Sequence, residues 1–108
     1  MKDISVIVAT HKKYLMPSDN VYLPVHVGGG LCDNDFGYQK DSTGDNISQK
    51  NPYFCELTGL YWAWKNLDSD YIGLVHYRRY FTLHKHIPKD STKKFALVLS
   101  GSEINDLL

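Results

Sequence analysis

The sequence predicts an α/β fold in which a mostly parallel β-sheet is flanked by helices. Residues 4–10 are rich in β-branched side chains and almost continuously hydrophobic, which is typical of a strand covered on both faces. A helix is predicted to begin near Asn51, and residues 71–76 form a second hydrophobic run after it. A helix followed by a buried strand indicates βαβ architecture with a right-handed crossover.

Between the first strand and the helix, we predict one weaker strand and a long loop. Val21 to Val27 is a short apolar run, and Pro24 within it favours an edge or irregular position because proline cannot donate a ladder hydrogen bond. Gly28-Gly29-Gly30 ends this run. Residues 32–51 are polar and rich in Asp, Asn, Ser and Gly, which predicts a long loop of the kind that is usually functional or mobile.

The clearest helix is predicted from Asn51 to the segment 66–70. Asn51 is a good N-cap, Pro52 suits the first helical position, and Glu56 stands early enough to favour the helix dipole. Six apolar side chains fall within one broad arc, which we expect to pack on the sheet. These are Tyr53, Phe54, Leu57, Leu60, Tyr61 and Trp64. A second face, which we expect to be covered by another segment or by a ligand, holds Cys55, Gly59, Trp62 and Asn66.

Beyond the second buried strand, we predict one more strand and one more helix. Residues 95–99 are a strand-like apolar run, and Ser100 with Glu103 has the spacing of a capping box. The helix that follows has Ile104, Leu107 and Leu108 on one side and ends without a C-cap. We therefore interpret residues 1–108 as a single domain that is cut short at its C-terminus, the first part of a longer domain.

The composition argues against several classes of protein. Twelve Lys and Arg residues balance twelve Asp and Glu residues, whereas a nucleic-acid-binding domain usually carries a basic excess. Cys32 and Cys55 are too few for a disulfide framework and too far apart for a zinc knuckle. No stretch approaches the roughly 20 apolar residues of a transmembrane helix, and the first apolar run is too short for a signal peptide. We therefore expect a soluble, cytoplasmic protein without a nucleic-acid partner.

Two polar clusters follow the two buried strands. Residues 10–14 follow the first strand, and residues 76–79 follow the second. Ligands of open α/β sheets bind beyond the carboxyl ends of the parallel strands, so the clusters would place lysines and arginines around one crevice. Such cations suit a phosphate or diphosphate. The alternative is that one arginine pairs with a carboxylate such as Asp70 and the lysines are solvated; for the joint placement, we favour the functional interpretation.

Other polar motifs are less specific. Asp45 and Asn46 offer a carboxylate and an amide for ribose or sugar hydroxyls, or they form an Asx turn. The triple glycine does not match a P-loop or a dinucleotide-binding fingerprint. His84 and His86 have no companion metal ligands nearby, so we predict no metal site. Because no nucleophile motif is present, catalytic residues stay unassigned.

Four segments that occur in a fixed order point to a family. They are residues 8–14, 44–48, 51–66 and 71–81, the last with the core His76-Tyr77-Arg78-Arg79-Tyr80-Phe81. In this order they resemble a family of bacterial glycosyltransferase-like proteins, catalogued as a domain of unknown function and found with capsular and exopolysaccharide synthesis. The resemblance implies a GT-A-like fold, the Rossmann-like fold of nucleotide-diphospho-sugar transferases. It also implies transfer of a sugar from a nucleotide-sugar donor, with a UDP-sugar favoured, to a growing surface glycan.

The resemblance also implies which residues form the donor site. Those that would contact the nucleotide are Thr10, His11, Lys12 and Tyr14. Asp45 and Asn46 would hold ribose or donor-sugar hydroxyls, and Trp62 would line the pocket. His76, Arg78 and Arg79 would face the diphosphate. For Glu56, a role in this site and a role as a helix-dipole partner are equally open.

The expected site differs from many GT-A enzymes in its metal ligands. Those enzymes hold a divalent metal with an Asp-x-Asp motif, whereas this chain has His76-Tyr77-Arg78-Arg79 at that place. Our hypothesis is that Arg78 and Arg79 neutralise the leaving diphosphate instead of a metal, and we expect no permanently bound cofactor.

The expected partners follow from the same resemblance. They are the nucleotide-sugar, a glycan acceptor and other polysaccharide-synthesis proteins; a lipid-linked acceptor would bring the protein to the inner face of the membrane. The alternative is a non-catalytic fragment that serves as a nucleotide-binding or interaction module.

Overall fold

Four strands form one parallel sheet in a computed structural model that describes residues 3–77, 80 and 99–108. The strands are β1 (Ile4–Thr10), β2 (Tyr22–His26), β3 (Gln39–Lys40) and β4 (Tyr71–His76), and their order is β3-β2-β1-β4. Each pair is parallel, with β1 between β2 and β4. The strands predicted at residues 4–10 and 71–76 are confirmed as β1 and β4. β1 is largely buried as predicted, whereas β4 is only partly buried, with Val75 its one buried residue, because it ends the described strand order. All four strands therefore end at the same side of the sheet, which we call the carboxyl edge.

The predicted edge position of β2 is corrected by this order, because β2 lies between β1 and β3. Pro24 is tolerated because β3 pairs only with Val25 and His26, at the end of β2. The carbonyl of His26 points towards β3, where it accepts a hydrogen bond from Asp41 N at 3.2 Å. The backbone nitrogen of Pro24, two residues before His26, faces the same side of β2. No described strand lies beside it there, so the missing N–H of Pro24 breaks no described ladder hydrogen bond.

The predicted long helix is broken after its first turn. Helix α1 (Asn51–Phe54) and helix α2 (Leu57–Asn66) are separated by two residues, Cys55 and Glu56; Cys55 has a φ of 52° and a ψ of −130°. Pro52 lies in the first turn, as predicted, but Asn51 is the first helical residue and does not cap the helix. The sequence pattern gave no sign of this break, because nothing in residues 51–66 except Gly59 disfavours a helix after the first turn.

Helix α2 buries a different face from the one that its apolar arc predicted. Trp64 is 63% exposed and Leu57 is 50% exposed, whereas the buried side chains are Thr58, Gly59, Trp62 and Ala63. The reason is close approach: a Cβ on Gly59 would lie 2.8 Å from Cγ1 of Val27. Small residues let this face reach the sheet, and Trp62 is buried beside them. The prediction that the arc packs on the sheet is therefore wrong, whereas cover over the Gly59 and Trp62 face is confirmed.

The core lies in two clusters, one on each face of the sheet. The cluster under α2 includes Ile7, Ala9, Val25, Trp62 and Ala63. The opposite cluster includes Val6, Val8, Tyr22, Val75, Tyr77 and Ile104. The Tyr22 hydroxyl donates a hydrogen bond to the Leu99 carbonyl, and burial raises the pKa of Tyr22 to about 12.

A third helix, α3 (Gly101–Leu107), packs on the second cluster through Ile104. Its predicted capping box is confirmed: Glu103 N donates to Ser100 Oγ at 3.2 Å, and Ser100 N donates to Glu103 Oε1 at 3.1 Å. Leu107 and Leu108 are exposed. The strand predicted at residues 95–99 lies outside the described residues except for Leu99. Across the described part of the chain, no helix is long and apolar enough to span a bilayer.

Candidate functional site

A cavity of about 300 Å³ opens at the carboxyl edge of the sheet. Its floor is formed by the ends of β1 and β4 together with the residues that follow β1 and β2, namely Ala9, Thr10, His11, Val27 and His76. Its wall is formed by the break between the helices, through Asn51, Cys55 and Glu56. The strand order reverses at β1: β2 and β3 lie on one side of it, and β4 lies on the other. Open α/β sheets bind ligands at such a switch point, here between β1 and β4. The volume is at the lower end of the range for small-molecule sites, about 300–1,000 Å³.

The helix break is held by hydrogen bonds on both of its sides. Cys55 N donates to Asn51 O at 2.7 Å, and the Asn51 side-chain amide donates to Cys55 O at 2.7 Å. The same amide reaches Thr58 Oγ1 at 3.2 Å. Cys55 therefore keeps a positive φ that non-glycine residues rarely adopt, and Glu56, the next residue, is placed on the cavity wall.

Asp41 is a buried carboxylate that joins this wall to the glycine loop. Its oxygens accept hydrogen bonds from Gly28 N at 2.9 Å and from Gly29 N at 3.0 Å. They also accept from the hydroxyls of Ser48 and Thr58. Asp41 is fully buried, so these four donors replace its hydration. Sequence reasoning missed Asp41, and its only local signal is a carboxylate after a short strand.

The two polar clusters predicted from the sequence meet at Tyr77. The Tyr77 ring lies 5.4 Å from His11, 5.2 Å from Tyr14 and 4.3 Å from His76, measured between ring centroids. The Lys12 ammonium lies 5.4 Å from the centre of the Tyr77 ring. We call His11, Lys12, Tyr14, His76 and Tyr77 the ring cluster; His11 and His76 also line the cavity. Tyr77 itself was not singled out in the sequence, although it lies between predicted site residues.

Thr10 also lines the cavity, but its hydroxyl forms hydrogen bonds with the backbone. Its hydroxyl donates to Lys12 O at 2.6 Å and accepts from Lys12 N at 3.3 Å, so it shapes the turn after β1. Arg78 and Arg79, predicted to face a diphosphate, lie outside the described residues.

Three other predicted site residues, one on α2 and two in the loop before α1, do not line the cavity. Asp45 accepts a hydrogen bond from the Tyr61 hydroxyl at 3.0 Å, which raises the pKa of Tyr61. Asn46 Oδ1 accepts from Ser48 N at 3.2 Å, which is the hydrogen bond of an Asx turn, and the Asn46 amide donates to Ser42 O and Gly44 O, each at 2.9 Å. Trp62 is a core residue that donates from Nε1 to Thr43 Oγ1 at 2.8 Å. The structure does not bring these three residues to the cavity.

His26 is a buried histidine at the end of β2. It is 1% exposed, its ring lies 4.6 Å from that of Phe36, and its Nδ1 has no hydrogen-bond partner among the described residues. Burial, and after it the Lys40 ammonium, lower the pKa of His26. Among the described residues, no three His, Cys, Asp or Glu side chains are grouped so as to hold a metal ion.

Comparisons with known proteins agree with the fold. The family model described as "Domain of unknown function (DUF4422)" matches residues 5–108. The apo structure of WbbM, a bifunctional glycosyltransferase, matches with 32% sequence identity and a TM-score of 0.80 over 96% of this chain. This chain covers 21% of that protein. No curated protein matches the sequence. The predicted α/β fold with a parallel sheet and flanking helices is thus confirmed, and it is shared with part of a glycosyltransferase.

Proposed function

Because the chain belongs to the family described as "Domain of unknown function (DUF4422)", and its fold is found in a bifunctional glycosyltransferase, we propose that its cavity binds a glycosyl donor. The observation that carries the proposal is the position of the cavity. It lies at the reversal point between β1 and β4 and is lined by polar groups of two strands and a helix break. A parallel sheet offers a small ligand a site at this position.

The chemistry of the ring cluster suits a nucleotide diphosphate. His11, which lines the cavity, and Tyr14 are exposed and contact the buried Tyr77 ring, so their own rings offer stacking surfaces to a nucleobase. Lys12 adds a positive charge beside the same rings, which favours a phosphate. Arg78 and Arg79 follow Tyr77 directly in the sequence, and in this proposal they neutralise the leaving diphosphate. The donor is then a nucleotide-sugar, with UDP as the favoured carrier, and the acceptor is a growing capsular or exopolysaccharide glycan.

The test is nucleotide binding by ligand-observed NMR with UDP, GDP and CMP, each with and without Mn²⁺. Lys12→Ala is expected to weaken UDP binding at least about fivefold, because it removes a cation near the phosphates. Lys65→Ala is the matched control, since the Lys65 ammonium lies over the rings of Tyr61 and Trp64, which do not line the cavity.

Circular dichroism melts show whether each variant is folded. Binding of UDP that is insensitive to Mn²⁺ and is weakened in Lys12→Ala but not in Lys65→Ala supports the proposal. A folded chain that binds none of the three nucleotides would overturn it and favour the non-catalytic alternative.

A further inference from the structure

We propose that Glu56 selects the sugar in the donor cavity by accepting hydrogen bonds from the hydroxyls of a neutral sugar and by repelling a sugar that carries a carboxylate. This inference rests on the donor site proposed above. It concerns a separate property of that site, because nucleotide binding and sugar selection are measured with different ligands.

The position of Glu56 is the first support. Among the described residues that line the cavity, Glu56 contributes the sole carboxylate. It reaches the wall because the helix breaks at the residue before it. The break requires a positive φ at Cys55, and strained conformations of this type in non-glycine residues concentrate at functional sites. Three hydrogen bonds made by Asn51 and Cys55 hold the break in place.

The freedom of the Glu56 carboxylate is the second support. Glu56 stands at the N-cap position of α2, but its side chain makes no capping hydrogen bond. Within the described part of the chain, no hydrogen bond or ion pair engages this carboxylate. The side chain is exposed to the cavity and to solvent. Its acceptor oxygens are therefore available to a ligand, and hydroxyl groups are their natural partners.

The distribution of charge around the cavity is the third support. The Lys12 ammonium lies 5.4 Å from the centre of the Tyr77 ring, outside the cavity lining, whereas Glu56 lies on the helix-break wall of the cavity. In the donor site proposed above, a diphosphate near Lys12 leaves the sugar to extend into the cavity, where Glu56 is the carboxylate that it meets. A carboxylate on that sugar would then meet the like charge of Glu56 in a partly enclosed site, and this repulsion would favour a neutral sugar.

The experiment compares the Kd values of UDP-glucose and UDP-glucuronate, which differ in one carboxylate. The wild-type chain is expected to bind UDP-glucose at least about tenfold more tightly, and Glu56→Gln should reduce this ratio to about twofold or less. Glu56→Lys should invert the preference. Asp68→Asn is the control for the change in net charge, because Asp68 is exposed and lies outside the cavity lining.

The outcomes separate this inference from the proposal on which it rests. If the wild-type chain binds UDP but does not discriminate between the two sugars, or if Glu56→Gln keeps the wild-type ratio, the role of Glu56 is refuted and the donor site stands. If the folded chain binds neither UDP nor the two UDP-sugars, the donor site is refuted and the inference with it.

Discussion

Replacing Cys55 with glycine is expected to stabilise the protein, although it removes a side chain. Cys55 is the one non-glycine residue with a positive φ in the described part of the chain. A side chain in such a conformation costs about 1–3 kcal/mol, which glycine would recover. Glycine loses about 0.5–1 kcal/mol because the unfolded chain becomes more flexible. The thiol is exposed and contributes little packing, so the free energy of unfolding should rise, by up to about 2.5 kcal/mol.

The assay is urea unfolding followed by circular dichroism, with two matched controls. Cys55→Ala removes the thiol but keeps the Cβ, and its stability should stay within about 0.5 kcal/mol of the wild type. Cys32 has an extended backbone, with φ −120° and ψ 129°, so Cys32→Gly should destabilise the protein by at least about 0.5–1 kcal/mol. If Cys55→Gly is no more stable than Cys55→Ala, the helix break is not strained and the reasoning is refuted.

Three further perturbations test the core, the buried histidine and the buried carboxylate. Trp62→Ala should lower the free energy of unfolding by about 3–5 kcal/mol, whereas Trp64→Ala, at a residue 63% exposed, should change it by less than about 1 kcal/mol in urea titrations. Because burial and Lys40 lower the pKa of His26 below its usual value near 6.5, the unfolded chain binds more protons just below that pH. Stability should therefore be full above about pH 6.5 and fall as the pH drops through the folded pKa, and His26→Phe should flatten this dependence in urea titrations across pH. In Asp41→Asn, an amide NH₂ replaces a carboxylate oxygen and faces hydrogen-bond donors, so the free energy of unfolding should fall by about 2–3 kcal/mol. Asp45→Asn, at an exposed position, should lower it by less than about 1 kcal/mol in the same assay.

Local patterns in the sequence predicted β1, β2, β4 and one cap, but they missed β3 within the predicted loop and failed on the packed face of α2. β1 is predictable because unbroken β-branched hydrophobicity requires cover on both faces, and the capping box needs only residues three apart. The prediction from the apolar arc failed because it considered the hydrophobicity of the side chains and not their size. Gly59 and Ala63 contribute little to such an arc, yet their small size decides which face can approach Val27.

The site divides in a similar way between local and distant relationships. The meeting of His11, Lys12 and Tyr14 with His76 was predictable, because parallel strands end at one edge. Asp41 was not, since it lies 13 residues from Gly28 and 17 residues from Thr58, and no spacing rule links such partners. Asp45 and Asn46 show how little a short polar motif discriminates: a motif that suits sugar hydroxyls also suits a turn, and the structure places Asn46 in a turn.

The wall of the cavity is set by a polar network that is buried at Asp41 and exposed at Cys55, and its geometry depends on hydrogen bonds more than on the packing of the hydrophobic core. Asp41 holds Gly28 and Thr58, Thr58 accepts from Asn51, and Asn51 fixes the break at Cys55. Hydrogen bonds are directional, so loss of one member should shift the wall that carries Glu56, even though Asp41 does not line the cavity. Asp41→Asn is therefore expected to lower both stability and the discrimination between UDP-glucose and UDP-glucuronate.

A core substitution of similar severity provides the contrast. Val25→Ala removes apolar contacts beneath α2, so it should lower stability and leave the discrimination ratio at the wild-type value wherever the chain stays folded. Equal loss of discrimination in both variants would mean that the wall depends on global stability and not on the Asp41 network.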